Sequence, residues 1–125
     1  MLDHISIGVK YLERSKTFYE AVLGVLGYGC LSEDETALGY GIEKVRFYVL
    51  KSKKPVPADE TSGLHFCFTA KTKQNVEAFY DAAMKQESLD NGKPGIREDY
   101  GPGYYAAFVK DPDSYRLEAF CNLQD

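Results

Sequence analysis

Residues 4–9 run His4, Ile5, Ser6, Ile7, Gly8, Val9, and residues 65–70 run His65, Phe66, Cys67, Phe68, Thr69, Ala70. Both stretches alternate with a period of two, the pattern of a strand with one apolar face. After the first, Leu12, Ser15, Phe18, Tyr19, Val22, Leu23 and Leu26 recur at the spacing of an amphipathic helix. After the second, Val76, Phe79, Tyr80, Ala83 and Met84 do the same, with Thr72 placed as an N-cap. Gly27, Gly29 and later Asn91-Gly92 are read as stopping these helices or opening the turns that follow. Further strands are predicted near 28–32, 36–41 and 44–51 in the first half, and near 96–99, 104–110 and 115–121 in the second. Turns are predicted at Tyr100-Gly101-Pro102-Gly103 and Asp111-Pro112-Asp113-Ser114.

The two halves are one pattern read twice. His4 answers to His65, Lys10 to Lys71, and Phe18-Tyr19 to Phe79-Tyr80, all at an offset of 61 positions without a gap. The organisation expected is therefore a first module over 1–51, a polar, proline-containing linker over 52–63, and a second module over 64–125, each βαβββ. Modules of about 60 residues are marginal alone, so the two should share a core within one domain or pair with a partner chain.

Alternation also sorts the strand faces. Ile5, Ile7 and Val9 point one way, leaving His4, Ser6 and Gly8 on the other. Phe66, Phe68 and Ala70 oppose His65, Cys67 and Thr69. The last strand sets Leu117, Ala119 and Cys121 against Arg116, Glu118 and Phe120. A polar sheet face is either simply wet or a site. Here both histidines of the chain take equivalent places in the repeat, and the last strand adds a carboxylate. Two imidazoles and a carboxylate suit a divalent transition metal with open coordination positions, and zinc, nickel, cobalt, manganese and iron all accept such donors. Aligning the fourth strands by an offset of 70 sets Arg46 on Arg116 and Tyr48 on Glu118. Tyr48 is then a pocket-wall hydrogen-bonder, or a ligand or acid–base group.

Composition narrows the function classes. The chain has 125 residues, 44% hydrophobic and 14% aromatic, with no tryptophan, an ordinary globular makeup. A net charge of −4 with scattered Lys and Arg lacks the basic stripe of a nucleic-acid binder. No apolar run approaches the roughly 20 residues of a membrane span, and the strand pattern begins at once behind Met1, so no membrane partner and a cytoplasmic location are expected. Cys30, Cys67 and Cys121 are odd in number and lack C-x-x-C spacing, so reduced, mostly buried thiols are expected.

The stretches Asp3-His4-Ile5-Ser6-Ile7-Gly8-Val9, Leu12-Glu13-Arg14-Ser15 and Phe18-Tyr19-Glu20-Ala21-Val22-Leu23-Gly24, and the closing run from Ala107 to Ala119, resemble the two modules of the vicinal oxygen chelate superfamily. Glyoxalase I, fosfomycin-resistance proteins, extradiol dioxygenases and bleomycin-resistance proteins belong to it. The resemblance implies an α+β fold, with paired βαβββ modules forming a U-shaped mixed sheet around a cavity and helices on the outer face, usually in a homodimer. It places metal ligands at His4, His65 and Glu118. It departs from glyoxalase I at Tyr48, where that enzyme carries a fourth ligand, and from the family's turn at Ser114, where glycine is usual. Two functions from different classes follow. One is a metal-dependent lyase, isomerase, transferase or dioxygenase acting on a small oxygen-bearing substrate. In it Tyr48 and Glu118 are candidate catalytic groups, and Ser6, Arg46, Cys67, Tyr105 and Arg116 line the pocket. The other is a metal-free drug-binding protein.

Overall fold

The computed structural model of the chain describes residues 1–86 and 88–125. The elements follow in the order β1 (Ile5–Val9), α1 (Leu12–Gly24), β2 (Gly29–Glu33), β3 (Ala37–Gly41), β4 (Val45–Lys51), β5 (His65–Thr69), α2 (Lys73–Lys85), β6 (Leu89–Ile96), a 3-10 turn (Glu98–Tyr100), β7 (Tyr104–Lys110) and β8 (Arg116–Asn122). They form two four-stranded mixed sheets, β1-β4-β3-β2 and β5-β8-β7-β6, with no closed barrel. In each sheet the first strand lies parallel to the last strand of its module, and the other pairs are antiparallel. The two βαβββ modules expected from the repeat are therefore the observed architecture. No helix among the described residues is long and apolar enough to cross a membrane.

The repeat extends to the register. Ser6 stands beside Tyr48 and Cys67 beside Glu118, as the offsets of 61 and 70 require. Helix α1 buries Phe18, Tyr19, Val22 and Leu23, and α2 buries Val76, Phe79 and Ala83, its N-terminus capped by Thr72 Oγ1 accepting from Asn75 N. The helices pack on one another and on the apolar faces of their sheets, so the core is continuous across the modules. Phe47 joins the two halves, its ring 5.2 Å from that of Tyr19 and 5.3 Å from that of Phe68. Burying each such ring is worth about 1.5–3 kcal/mol.

The stronger tie is polar. Asp111, in the β7–β8 turn, lies buried against α1, where its Oδ2 accepts from the Tyr19 hydroxyl at 2.5 Å. Its Oδ1 accepts from the backbone N–H groups of Asp113 and Tyr115, both at 2.8 Å. Asp113 accepts from Lys10 N and from the Arg14 guanidinium, and the Tyr115 hydroxyl donates to the Gly8 carbonyl at 2.7 Å. One turn of the second module thus grips both β1 and α1 of the first. Ser114 closes the turn at φ +73°, the left-handed region where a side chain is disfavoured.

One element departs from expectation. The strand predicted near 96–99 is β6 at Leu89–Ile96, and residues 98–100 form the 3-10 turn. Asn91-Gly92 lies inside β6 and not at a helix end. Two register shifts, between Asp90 and Gly92 and between Gly92 and Gly95, absorb the irregular sequence. Pro94 is tolerated because β6 is an edge strand. The thiols are free, but only Cys121 is buried, while Cys30 is half-buried and Cys67 exposed.

Burial pushes the Asp111 carboxyl up to about 6, against a lowering by its hydrogen bonds. Between that value and the ordinary one near 3.8 the folded chain holds the proton more tightly than the unfolded chain. This group's stabilisation is therefore full at low pH and is lost as pH rises through 6. Urea melts of the wild type and Asp111→Asn should show the wild type gaining about 2 kcal/mol on the variant between pH 7 and pH 4.5. The same melts should show Ser114→Gly stabilising the protein by about 0.5–1 kcal/mol, through relief at a positive φ.

Candidate functional site

The parallel ladder of β5 with β8 sets His65 beside Arg116 and Cys67 beside Glu118, and the β7 ladder sets Phe108 beside Glu118. By alternation the even-numbered residues of β7, Tyr104 included, lie on this polar face. Glu118 is only 3% exposed, an expensive place for a carboxylate without partners. It has two. Its Oε1 lies 2.9 Å from His65 Nε2, and its Oε2 accepts from the Tyr104 hydroxyl. The Tyr104 ring stacks on Phe120 with centroids 4.1 Å apart, and Tyr100 meets it edge-on.

Burial, reinforced by the hydrogen bond to Glu118, pushes the Tyr104 hydroxyl far above the usual phenol range. It is a fixed proton donor and not a base. Although Cys67 is exposed as a residue, its sulfur is sheltered against the sheet, and that desolvation with the adjacent Glu118 carboxylate pushes the thiol up to about 12, so Cys67 carries no thiolate at neutral pH. Around the pair opens a hollow of about 680 Å³, walled by Arg97, Tyr100, Tyr104, Phe108 and Arg116. Arg116 is steadied through Nε, which donates to the Leu64 carbonyl at 3.2 Å.

The first module presents the equivalent face. His4 meets Tyr48 edge-on with ring centroids 5.2 Å apart, and Ser6 is the register partner of Tyr48. Tyr48 thus shares the face of His4, away from the helix layer. Asp3 Oδ2 lies 2.8 Å from His4 Nδ1, and Arg46 Nη1 donates to the Asp3 carbonyl at 2.9 Å. Hydrogen bonds from Lys44 and then His4 hold the Asp3 carboxyl down at about 2. A proton held on Nδ1 leaves Nε2 as the free donor atom of the His4 ring.

His65 and Glu118 therefore come together, with Cys67 and Arg116 on the same face. His4, Ser6, Tyr48 and Arg46 gather on the other sheet. Among the described residues no group of three His, Cys, Asp or Glu side chains converges. Tyr105 corrects an expectation. It is 6% exposed and points to the helix layer, where its hydroxyl donates to Glu77 Oε2 at 3.1 Å and the Lys73 ammonium sits over its ring. Its neighbour Tyr104 takes the pocket place. Strand parity counted from Glu118 would have separated the two. Asp3 and Arg97 were also missed; adjacency to His4 is a signal for the first, and nothing in the periodicity marks the second.

No protein-family profile matches the chain. A relative from Bacillus subtilis (strain 168), the uncharacterized protein YqjT, is 30% identical, the match spanning 94% of this chain and 95% of the relative. A glyoxalase/bleomycin resistance protein from Albidiferax ferrireducens T118 superposes with a TM-score of 0.83 at 28% identity, over 96% of this chain and 97% of that one. The chain belongs to the vicinal oxygen chelate superfamily. A glyoxalase/bleomycin resistance protein/dioxygenase family enzyme from Burkholderia phytofirmans PsJN shares the fold, with a TM-score of 0.74 at 14% identity over 97% and 98% of the two chains.

The two tyrosines give a direct check on which one holds the carboxylate. Tyr104→Phe strands a buried Glu118 oxygen and should lower stability by about 1–3 kcal/mol. Tyr105→Phe removes only a bond to a helix-surface glutamate and should lower it by about 0.5 kcal/mol. Denaturant melts of the two variants side by side provide the measurement.

Proposed function

We propose that this vicinal oxygen chelate protein is a metal-dependent enzyme acting on a small molecule that offers two oxygens to the metal. The reading rests on the Glu118–His65 pair, a carboxylate and an imidazole 2.9 Å apart at the base of an open hollow. Neutral imidazole and carboxylate are a donor set that zinc, nickel, cobalt, manganese and iron(II) all accept. The residues fit such an ion, with one condition. The third donor, His4, lies on the other sheet and does not converge with the pair within this chain; in our reading a second copy of the chain supplies it. The free edges of β1 and β5 support this arrangement. A two-fold homodimer would complete two equivalent sites. When bound, the ion supplies Lewis-acid stabilisation of an enolate or alkoxide, the charge shared by lyase, isomerase and thiol-transfer chemistry.

The chain's own groups have definite tasks around that site. Tyr104 donates to Glu118 Oε2, so Oε1 and the facing His65 Nε2, 2.9 Å apart, are the atoms that would meet the ion. Asp3 holds the His4 proton on Nδ1, which leaves Nε2 for it. Tyr48, beside His4, presents its hydroxyl where the repeat places Glu118 in the other module, a position from which to hold or move a substrate proton. Ser6, Arg46 and Arg116 line the approach, and protonated Cys67 fills space beside the carboxylate. Unpaired thiols at Cys30, Cys67 and Cys121 support a reducing, cytoplasmic setting, and the acidic net charge supports a small-molecule partner over nucleic acid or membrane.

Metal analysis with sedimentation measures both halves of this reading. The expected result is a dimer holding about one ion per chain, with uptake lost in His4→Ala, His65→Ala and Glu118→Gln. Mixing the His4→Ala and His65→Ala proteins should restore about half the sites of each mixed dimer, because one of its two sites is then whole. Uptake that survives all three substitutions overturns the metal assignment. Uptake by a monomer overturns the shared site. A dimer without metal that still binds aromatic compounds would return the sequestration reading, which the Tyr100, Tyr104 and Phe108 walls also accommodate.

A further inference from the structure

Arg97 stands just past the end of β6 and has a prepared seat. Its Nη2 donates to the Lys93 carbonyl at 2.6 Å, its guanidinium carbon lies 5.3 Å from the centroid of the Phe108 ring, and its backbone N–H donates to the Tyr104 carbonyl at 2.8 Å. The space it occupies exists because two residues of β6 lack side chains. A Cβ on Gly92 would come within 3.2 Å of Nη2 and 3.0 Å of Phe108 Cδ2, and one on Gly95 within 3.0 Å of Nη1. The register shifts at these glycines turn the same stretch of β6 toward the hollow.

A guanidinium has five N–H donors in a rigid fork, and the Lys93 carbonyl engages one of its two Nη groups. Among the described residues no carboxylate lies within ion-pair distance of Arg97 or of Arg116. A chain with a net charge of −4 thus lines this hollow with two guanidiniums and a single carboxylate, Glu118. The Phe108 ring lies under Arg97 and the Lys93 carbonyl holds Nη2, and a planar, preset fork is the arrangement that binds oxyanions through paired hydrogen bonds.

We infer that Arg97 is the anchor for an oxyanion on the substrate, a carboxylate matching its planar fork best, set apart from the oxygens that meet the metal. The inference rests on reading this hollow as the place where substrate is held. The ladder gives the separation. Phe108 on β7 is the register partner of Glu118 on β8, and Gly92 on β6 is the register partner of Phe108. The fork therefore lies one to two strand spacings, roughly 5–10 Å, from the Glu118 carboxylate. An acid group at that distance is not itself part of the chelating pair. The body between the two ends lies against Phe108, Tyr100 and Tyr104, which suits a flat, unsaturated or aromatic frame.

The test uses probes that need no metal, so that its outcome is independent of metal uptake. Phenylacetate and its uncharged isostere phenylacetamide are titrated into metal-depleted wild type, Arg97→Gln and Arg97→Lys, followed by calorimetry. Phenylphosphonate runs as a third probe to separate a carboxylate from a phosphonate source. Phenylacetate should bind wild type about tenfold tighter than the amide and more tightly than phenylphosphonate; the reverse order of the two anions would assign the seat to a phosphonate or phosphate and overturn the carboxylate. Arg97→Gln should abolish that preference while leaving the amide affinity unchanged, and Arg97→Lys should fall between. Failure of both anions to bind, equal binding of anion and amide, or a preference that survives Arg97→Gln each overturns the assignment. Metal analysis of the same variants reads the other proposal separately, because Arg97→Gln should bind as much metal as the wild type.

Discussion

The buried contact between Asp111 and Tyr19 is the constraint on which the arrangement of the two modules depends. Two modules of this size share a core only if one relative orientation wins, and apolar packing alone is non-directional. A carboxylate that accepts one phenol and two backbone N–H groups is directional. If the modules slide, a charged group loses its partners away from water, so the wrong orientations are penalised more steeply than the right one is rewarded. The adjoining contacts of Asp113 with Arg14 and of Tyr115 with Gly8 extend the same logic to α1 and to β1, the strand that His4 immediately precedes. The turn is thus a fold determinant, and through β1 it is also a determinant of where His4 stands.

Much of this was legible in the sequence because alternation and helical spacing are both consequences of burial on one face. The register partners Ser6 with Tyr48 and Cys67 with Glu118 match the repeat offsets, and the helix stripes are the buried stripes. What was not legible has physical reasons. The β6 segment is rich in Asn, Gly and Pro, residues that mark turns in most settings, and here two bulges at a sheet edge accommodate them. Misplacing that strand hid Arg97, whose role comes from the missing side chains of Gly92 and Gly95, a signal that no periodicity carries. Tyr104 and Tyr105 are adjacent in a strand whose residues are mostly apolar, so composition does not tell their faces apart. Only the register with Glu118 says which of them faces the hollow.

The site divides its labour between the sheets. The second module holds the buried carboxylate, an imidazole, the aromatic walls and two guanidiniums; the first holds an imidazole with its exposed Asp3 carboxylate, a serine, a phenol and the Arg46 guanidinium. In each half a carboxyl, an imidazole and a further donor are bonded in series: Tyr104 to Glu118 to His65, and Lys44 to Asp3 to His4. Such chains fix both ring orientation and proton placement before any ligand arrives.

The preserved register between the halves has a consequence for how such a protein changes over time. Were the assembly built from identical half-length chains, every position would be locked to its copy, and Tyr48 could not differ from Glu118. Joining the halves in one polypeptide releases that lock while keeping the shared geometry. One half is then free to surrender a carboxylate and the other to acquire Arg97 with its glycine seat. The covalent link over residues 52–63 is therefore what permits the two polar faces to differ, one with Glu118, Arg97 and Arg116 and the other with Tyr48, Asp3 and Arg46, within a nearly symmetric scaffold.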